Sequence, residues 1–512
     1  YHGYWITDFT QIDPHLGTNA EMKTLITKAH AKGMKVFFDI ITNHTADVID
    51  YNPAEYTYID KDTSPYKDAN GKEFDDKTYA SSDDFPAMKP DNTSFPRTPV
   101  FRTEADKTVK VPAWLNDPTM YHNRGDSTFS GESSEYGDFY GLDDLFTENH
   151  QVVDGMTKVY QTWADFGIDG FRIDTVKHVN LEFWQQFSPA VLDHARKTGN
   201  KDFFMFGEVY DASPAFMSTY TTSGKLQATL DFGFQSAAQQ YAAGKNATVL
   251  RDLFAGDDYY TDTDSNAYQL PTFLGNHDMG RLPALIGSGF TTQEKLQRVE
   301  LANQLMFLTR GQPVTYYGDE QGFIGAGGDK DSRQDMFATK TQQYADEANL
   351  YGEQAGGSKD RYGTNTSLYR LIKELSALRA LHPALADGAQ ISRYADAGPG
   401  IHAFSRIDRR TQREYIVAIN NATEAKTADF DTYGDSTTYR PLYGADRSVT
   451  SRADGRVKVT VPALSVSVWR AGNTMDVPAG APTLSARAPG SGADFTGRAK
   501  ISAALGEDQF AQ

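Results

Sequence analysis

The feature that most restricts this chain is a repeated alternation of a helical pattern with an apolar run that stops at a charged or strongly polar residue. Thr18 and Glu21 form a capping-box pattern ahead of Met22, Leu25, Ile26 and Ala29, and Gly33 after Lys32 stops the helix. Val36-Phe37-Phe38-Asp39-Ile40-Ile41 follows directly. Continuous, aromatic and β-branched, it reads as a strand buried on both faces. The order recurs: a helix ends near Phe166, Gly170-Phe171-Arg172-Ile173-Asp174 reads as a strand, a helix starts near Leu181, and Phe203-Phe204-Met205-Phe206-Gly207-Glu208 is the next strand. Further strands are read at Leu226 to Phe232, Pro271 to Asn276 and Pro313 to Tyr316, and helices at Gln293 to Thr309 and Leu368 to Leu381. This alternation calls for a parallel α/β fold. Charges at the strand ends select a (β/α)8 TIM barrel, whose active site lies at the C-terminal ends of its strands.

Two stretches break the pattern. Thr45 to about Gly141 is rich in Asp, Lys, Pro, Gly, Tyr and Ser and is too long for a simple loop, so it reads as a small inserted domain. From about Ile391 short β segments take over, at Ile401 to Phe404, Tyr415 to Ile419, Thr438 to Leu442, Val457 to Val461 and Ser465 to Trp469, with Asp454-Gly455 as a hairpin signal. The expected organisation is a barrel over 1–44 and 142–388, an inserted domain at 45–141 and an all-β sandwich at 389–472. A Pro-, Ala-, Gly- and Ser-rich linker and the start of a truncated module fill 473–512.

Composition narrows the chemistry. A formal charge of −18 and a pI near 5.1 argue against nucleic acid, which needs clustered Lys and Arg. With no cysteine, thiolate catalysis, disulfides and Cys-ligated zinc are excluded. No apolar run reaches the ~18 residues of a membrane span, and the N-terminus lacks the basic and apolar regions of a signal peptide. The chain opens on Tyr1, and both ends read as cut from a larger multidomain parent. Aromatic residues make up 12%, with 28 tyrosines, a content that suits either stacking on flat ligands such as sugar rings or aromatic packing.

Four strand ends carry candidate chemistry. Asp39-Ile40-Ile41-Thr42-Asn43-His44 taken alone reads as capping and hydrogen bonding. Arg172 and Asp174 alternate on one face of an apolar strand, which places a charge pair inside a barrel, either as a structural salt bridge or as a site. Glu208 ends an apolar strand, where low dielectric raises a carboxyl pKa and suits it to general-acid work; alone it also reads as a helix N-terminal charge. His277-Asp278 ends a further run. Two carboxylates flanking a glycosidic bond are what glycoside hydrolysis needs, and a third stabilises the transition state or holds a sugar hydroxyl.

Together these segments resemble the four signature regions of the α-amylase family of glycoside hydrolases. The matches are Asp39-x-x-x-Asn43-His44, Arg172-x-Asp174, Glu208 and His277-Asp278. Tyr1-His2-Gly3-Tyr4-Trp5, Gly141-Leu142-Asp143-Asp144-Leu145 and Gly311-Gln312-Pro313-Val314-Thr315-Tyr316-Tyr317-Gly318-Asp319-Glu320 agree with it. The resemblance covers Tyr1 to about Gly472 and implies the barrel, the inserted domain and the C-terminal sandwich. In such barrels two strands precede the Tyr-His-Gly-Tyr segment, so the first two are expected to be missing here. It implies a retaining hydrolase of α-1,4 bonds in starch, glycogen or maltooligosaccharides, with Asp174 as nucleophile, Glu208 as acid/base and Asp278 as the third carboxylate. Arg172 would keep Asp174 ionised, Asp39 would orient Arg172, and His2, Tyr4, His44, Arg172, Lys177, His178 and His277 would bind substrate. A structural Ca²⁺ is implied on Asn43, Asp144 and the backbone carbonyl of His178.

Lys177-His178 resembles the pair of enzymes acting on α-1,4 linkages, and no Tyr-Asn-Trp-Gly-Tyr segment of debranching pullulanases occurs. The fourth region departs from the commoner Val-Asp-Asn-His-Asp by reading Leu274-Gly275-Asn276-His277-Asp278, which leaves less side chain near the subsite. The competing readings are an α-glucan transglycosylase, an α-1,6 debranching enzyme and a catalytically silent glycan-binding scaffold. A polymeric substrate and a modular tail imply an extracellular location, and with no apolar run of membrane-span length no membrane partner is expected.

Overall fold

The computed structural model describes residues 2–80, 82–325, 328–353 and 359–475, and two short strands at 484–487 and 502–505. Tyr1 and most of the expected linker and truncated module lie outside the described residues. The chain divides into two compact units, Tyr1–Gly233 with Tyr259–Pro271, and Phe234–Asp258 with Thr272–Gln512.

In the first unit, Thr18 and Glu21 exchange both capping-box hydrogen bonds at the head of the helix Asn19–His30. The strands are β1 (Phe37–Ile40), β2 (Ile49–Asn52), β3 (Thr98–Phe101), β4 (Gly170–Ile173), β5 (Phe204–Gly207) and β6 (Ala228–Thr229). β1, β4, β5 and β6 make a parallel sheet in that order, with Asp39 beside Arg172 and Ile173 beside Gly207. Gly170 is required in β4: a Cβ there would lie 2.0 Å from the Phe204 carbonyl oxygen and 2.2 Å from the Phe37 ring.

One face of this sheet is sealed by the helices His150–Phe166 and Leu181–Lys197. Trp163 meets Phe38 and Tyr160 meets Phe171, at ring separations of 5.1 and 5.5 Å. Phe171, Ile173 and Met205 are fully buried there, each worth roughly 1.5–3 kcal/mol of burial. The expected burial of β1 on both faces is not met. Phe37 is 37% exposed because β1 is an edge of this sheet: among the described residues only β4 pairs with it.

Residues 45–141 hold the antiparallel β2–β3 pair and short helical turns, with an aromatic core of Tyr66, Phe95 and Tyr136 that packs with Phe146 just beyond them. No period of 2 or 3.6 runs through these rings.

The second unit contains the long helices Thr292–Leu308 and Ser367–Leu381; a short β7 (Pro271–Thr272), which begins at the boundary residue Pro271, pairs with β8 (Gln312–Pro313). Of the expected strands, Leu226 to Phe232 and Pro271 to Asn276 are reduced to two laddered residues each, and Pro313 to Tyr316 keeps only Pro313, paired together with Gln312 before it. In the second, Asn276 closes a turn on Gly280; in the third, the chain turns at Gly318 with φ +87°.

Beyond them lie β9 (Ala389–Ala395), β10 (Ile401–Ile407), β11 (Glu414–Asn420), β12 (Lys426–Asp431), β13 (Thr438–Tyr443), β14 (Val449–Thr450), β15 (Arg456–Val461) and β16 (Ser465–Ala471). A six-stranded antiparallel sheet and the β12–β15 pair enclose Ile416, Phe430, Val459 and Trp469, a sandwich core. The turn at Asp454-Gly455 forms, with Gly455 at φ +77°, but it joins no hairpin. β14 pairs with β13 and β15 with β12, so the chain changes sheets there. Leu484–Arg487, in the stretch expected to be linker, pairs with Ser502–Leu505, in the stretch expected to begin a further module. Among the described residues no helix is long and apolar enough to cross a membrane.

Candidate active site

Three parallel strands of the first unit end in one charged cluster. The register that puts Asp39 beside Arg172 also carries Asp174 N–H to the Ile40 carbonyl at 2.8 Å and Glu208 N–H to the Ile173 carbonyl at 2.7 Å. Backbone ladders therefore fix both carboxylates. Arg172 Nη1 donates to Asp39 Oδ1 at 2.9 Å and to Asp174 Oδ1 at 2.5 Å, and Nη2 lies 3.0 Å from Glu208 Oε1. Thr175 N–H donates to Glu208 Oε2 at 3.2 Å. Arg172, Asp174 and Glu208 are all buried. Burial alone would lower the Arg172 pKa, but Asp39, Glu208 and Asp174 hold it well above the ordinary value, so a permanent cation sits among three carboxylates.

Tyr4 joins this cluster through its hydroxyl, which donates to Asp39 Oδ2 at 2.9 Å, and its N–H donates to His2 Nδ1 at 2.9 Å. Burial and the neighbouring Asp39 raise the Tyr4 pKa and keep it a neutral donor. His44 is buried, pushed down to about 3 by desolvation, and stacked on Phe139 at 5.3 Å. His178 is pushed down to about 4 by burial, and its Nδ1 contacts the Ser134 carbonyl at 2.7 Å. Lys177 reaches the Tyr210 carbonyl at 2.8 Å. The structure thus brings Tyr4, Arg172, Asp174 and Glu208 into one network and places His2 against Tyr4. His44 and His178 share the ring of Phe139.

The adjacent acidic pair divides its work. Asp143 binds Lys110 at 2.5 Å with both side chains buried, whereas Asp144 Oδ2 meets His122 Nδ1 at 2.6 Å. His122 Nε2 contacts Glu148 Oε2 at 2.9 Å, and the two carboxylates push this imidazole up to about 9 against its burial. Sequence reasoning missed His122 and Glu148, because their link to Asp144 runs through a fold contact rather than a motif. Asn43 lies alongside: its carbonyl accepts from Leu145 N–H at 2.9 Å, and its amide nitrogen faces His44 Nδ1 at 3.2 Å, which leaves the side-chain oxygen for another partner. Among the described residues no three His, Asp or Glu side chains converge as a metal-holding group.

In the second unit, the loop after β7 closes by mutual backbone hydrogen bonds between Asn276 and Gly280 at 3.1 and 3.2 Å, and Asn276 Oδ1 accepts from the N–H groups of Asp278 and Met279. Gly275 has a local reason: a Cβ there would lie 2.4 Å from the Gly280 carbonyl oxygen. His277 Nε2 contacts Asp278 Oδ2 at 3.0 Å, and Arg333 Nη2 contacts Oδ1 at 3.2 Å. Arg333 was not foreseen, lying far from Asp278 in sequence.

Carboxylates gathered at the C-terminal ends of parallel strands, followed by an all-β sandwich, define an α/β barrel protein with an acidic strand-end site. Residues 1–388 match the family described as alpha amylase, catalytic domain, and residues 392–472 match the alpha amylase C-terminal all-beta domain; the chain belongs to the α-amylase family. It is 55% identical to a Streptomyces lividans protein named alpha-amylase, over 100% of this chain and 56% of that protein. It is 27% identical to a Bacillus licheniformis cyclomaltodextrin glucanotransferase over 92% of this chain and 55% of that one. The chain thus spans little more than half the length of these relatives. A crystal structure of alpha-amylase from Geobacillus thermoleovorans, complexed with acarbose, matches 92% of this chain and 84% of its own with a TM-score of 0.65 at 24% identity. That likeness establishes the α-amylase barrel and C-terminal β domain as the fold.

Proposed function

We propose that this chain is a retaining glycoside hydrolase that cleaves α-1,4-glucosidic bonds in starch, glycogen or maltooligosaccharides. The observation that carries the reading is Arg172 held between Asp39, Asp174 and Glu208 at the ends of adjacent parallel strands. An ionised Asp174 forms a bond to the anomeric carbon as that carbon's bond to the glycosidic oxygen breaks, and protonated Glu208 gives its proton to the departing oxygen. Glu208, now a carboxylate, then takes a proton from water; the water oxygen bonds to the anomeric carbon and the ester to Asp174 breaks. Two inversions restore the α configuration. Family resemblance assigns His277 and Asp278 to sugar hydroxyls.

The glucanotransferase among the relatives favours a second reading, in which a sugar hydroxyl replaces water in the second step. Product analysis separates the two: linear, shorter maltooligosaccharides from hydrolysis, longer or cyclic ones from transfer. Reducing-sugar release from starch but not pullulan is expected, and Asp174→Ala is expected to abolish it without loss of fold. Near-parental turnover in a folded Asp174→Ala protein would refute the assignment.

Family members commonly hold calcium. Here the side-chain oxygen of Asn43, a carboxylate oxygen of Asp144 and the carbonyl of His178 are hard donors that suit Ca²⁺. With Asp144 Oδ2 engaged by His122, carbonyls and waters would complete the shell. The ion would supply structural cross-linking. Chelation should then lower the melting temperature and added Ca²⁺ should restore it; an unchanged melt would remove calcium from the account. An extracellular location is part of the same proposal, and recovery of the native protein from culture supernatant rather than cells would support it.

A further inference from the structure

The His277–Asp278 loop is held by side chains from distant sequence, and one buried arginine links most of them. Arg281 is fully buried. Its Nη1 donates to Asp319 Oδ1 and to the Tyr317 carbonyl, both at 2.7 Å; Nε donates to Gln334 Oε1 at 2.9 Å; Nη2 donates to the Ser332 carbonyl at 3.2 Å. Its guanidinium also lies 4.4 Å from the Tyr316 ring centroid and 5.3 Å from that of Phe323. One side chain therefore ties the segment after β8, residues 316–319, and the segment 332–334 to the turn that carries Asp278.

The second of those segments touches Asp278 directly. Ser332 Oγ donates to the His277 carbonyl at 3.1 Å, Gly328 N–H to the Met279 carbonyl at 3.4 Å, and Arg333 Nη2 meets Asp278 Oδ1 at 3.2 Å. With His277 on Oδ2, the two oxygens of Asp278 are engaged by different residues, although the side chain is 36% exposed. β7 and β8 ladder only two residues each, so the turn's own backbone bonds between Asn276 and Gly280 and these side chains, rather than a strand ladder, set this geometry.

We propose that Arg281 is a positioning residue for Asp278, acting through Asp319, Ser332 and Gln334 to place Arg333 against the Asp278 carboxylate. Lysine at 281 would keep the charge but not the planar fork that serves four acceptors in fixed directions. The inference rests on the hydrolase reading above and is tested on the full chain with a maltooligosaccharide of defined length.

Arg281→Lys is expected to lower kcat about 10–100-fold with KM changed less than about threefold, the size of effect a misplaced group of ~1 Å produces. Arg333→Gln should show the same split. The double variant should be no worse than the poorer single one, because the two act in series. Normal kcat per folded molecule in Arg281→Lys, or losses that add in the double variant, would overturn the proposal and leave Arg281 a stability residue. Should Arg281→Lys not fold, Asp319→Asn, which keeps the arginine and weakens its strongest partner, carries the same test. A parental chain inactive on every glucan would instead refute the hydrolase reading.

Discussion

The two acidic regions of this molecule are built by opposite means. Asp174 and Glu208 stand at the ends of parallel strands, where backbone ladders place them and one arginine neutralises them. Asp278 sits on a turn after the two-residue strand β7 and is held by Asn276, His277, Arg333 and, behind them, Arg281. A ladder makes position a property of the fold and tolerates changes of neighbouring side chains. A clasp makes position depend on a few long-range contacts.

The largest expected effect comes from removing the charge at the centre of the first region. Arg172→Met leaves three carboxylates crowded without a cation. It should cost about 3–5 kcal/mol of stability, the range for breaking a buried pair, and about 10³-fold in kcat. Denaturant unfolding and steady-state kinetics check this; a stable, active Arg172→Met protein would show that the ladder alone suffices.

Gly275→Ala probes the second region through its backbone. The added Cβ meets the Gly280 carbonyl oxygen at 2.4 Å, so the turn must open. An overpacking cost of about 1–3 kcal/mol is expected, with kcat down about tenfold. Unchanged kcat would mean that Asp278 tolerates movement and that its position does not depend on the clasp.

The smallest effect separates the two units by pH. His402, on β10, is buried between Phe254 and Phe404, and desolvation pushes it down to about 3. The folded state thus keeps it neutral while the unfolded chain protonates it below about 6.5. Its contribution to stability is present above that pH and is lost as pH falls towards 3, by about 2 kcal/mol between pH 7 and 5. His402→Leu should flatten this slope in the second unit's unfolding transition and leave the first unit's unchanged. An unaltered slope would place the acid sensitivity elsewhere.

These regions were not equally legible in the sequence. Asp39, Arg172, Asp174 and Glu208 could be read because a parallel strand buried by helices is a continuous apolar run, and a charge at its end stands out. The capping box at Thr18 was readable for a similar local reason. The edge exposure of Phe37 was not, since pairing partners are not written in a strand's own residues. The aromatic core of residues 45–141 has no period to detect, and the turn at Asp454-Gly455 looked like a hairpin because its strands' true partners lie elsewhere. Arg281 and Arg333 were invisible for the same cause: their partners sit 38 and 55 residues away.

The most direct test of the central claim is chemical trapping of the nucleophile. A Glu208→Gln protein treated with an α-maltosyl fluoride, whose leaving group needs no proton, should complete the first displacement and stall before the second. Intact-mass spectrometry should then show one added maltosyl unit, and peptide mapping should place it on Asp174. A maltosyl unit on another carboxylate, or release of maltose with no adduct at any time point, would contradict Asp174 as the nucleophile.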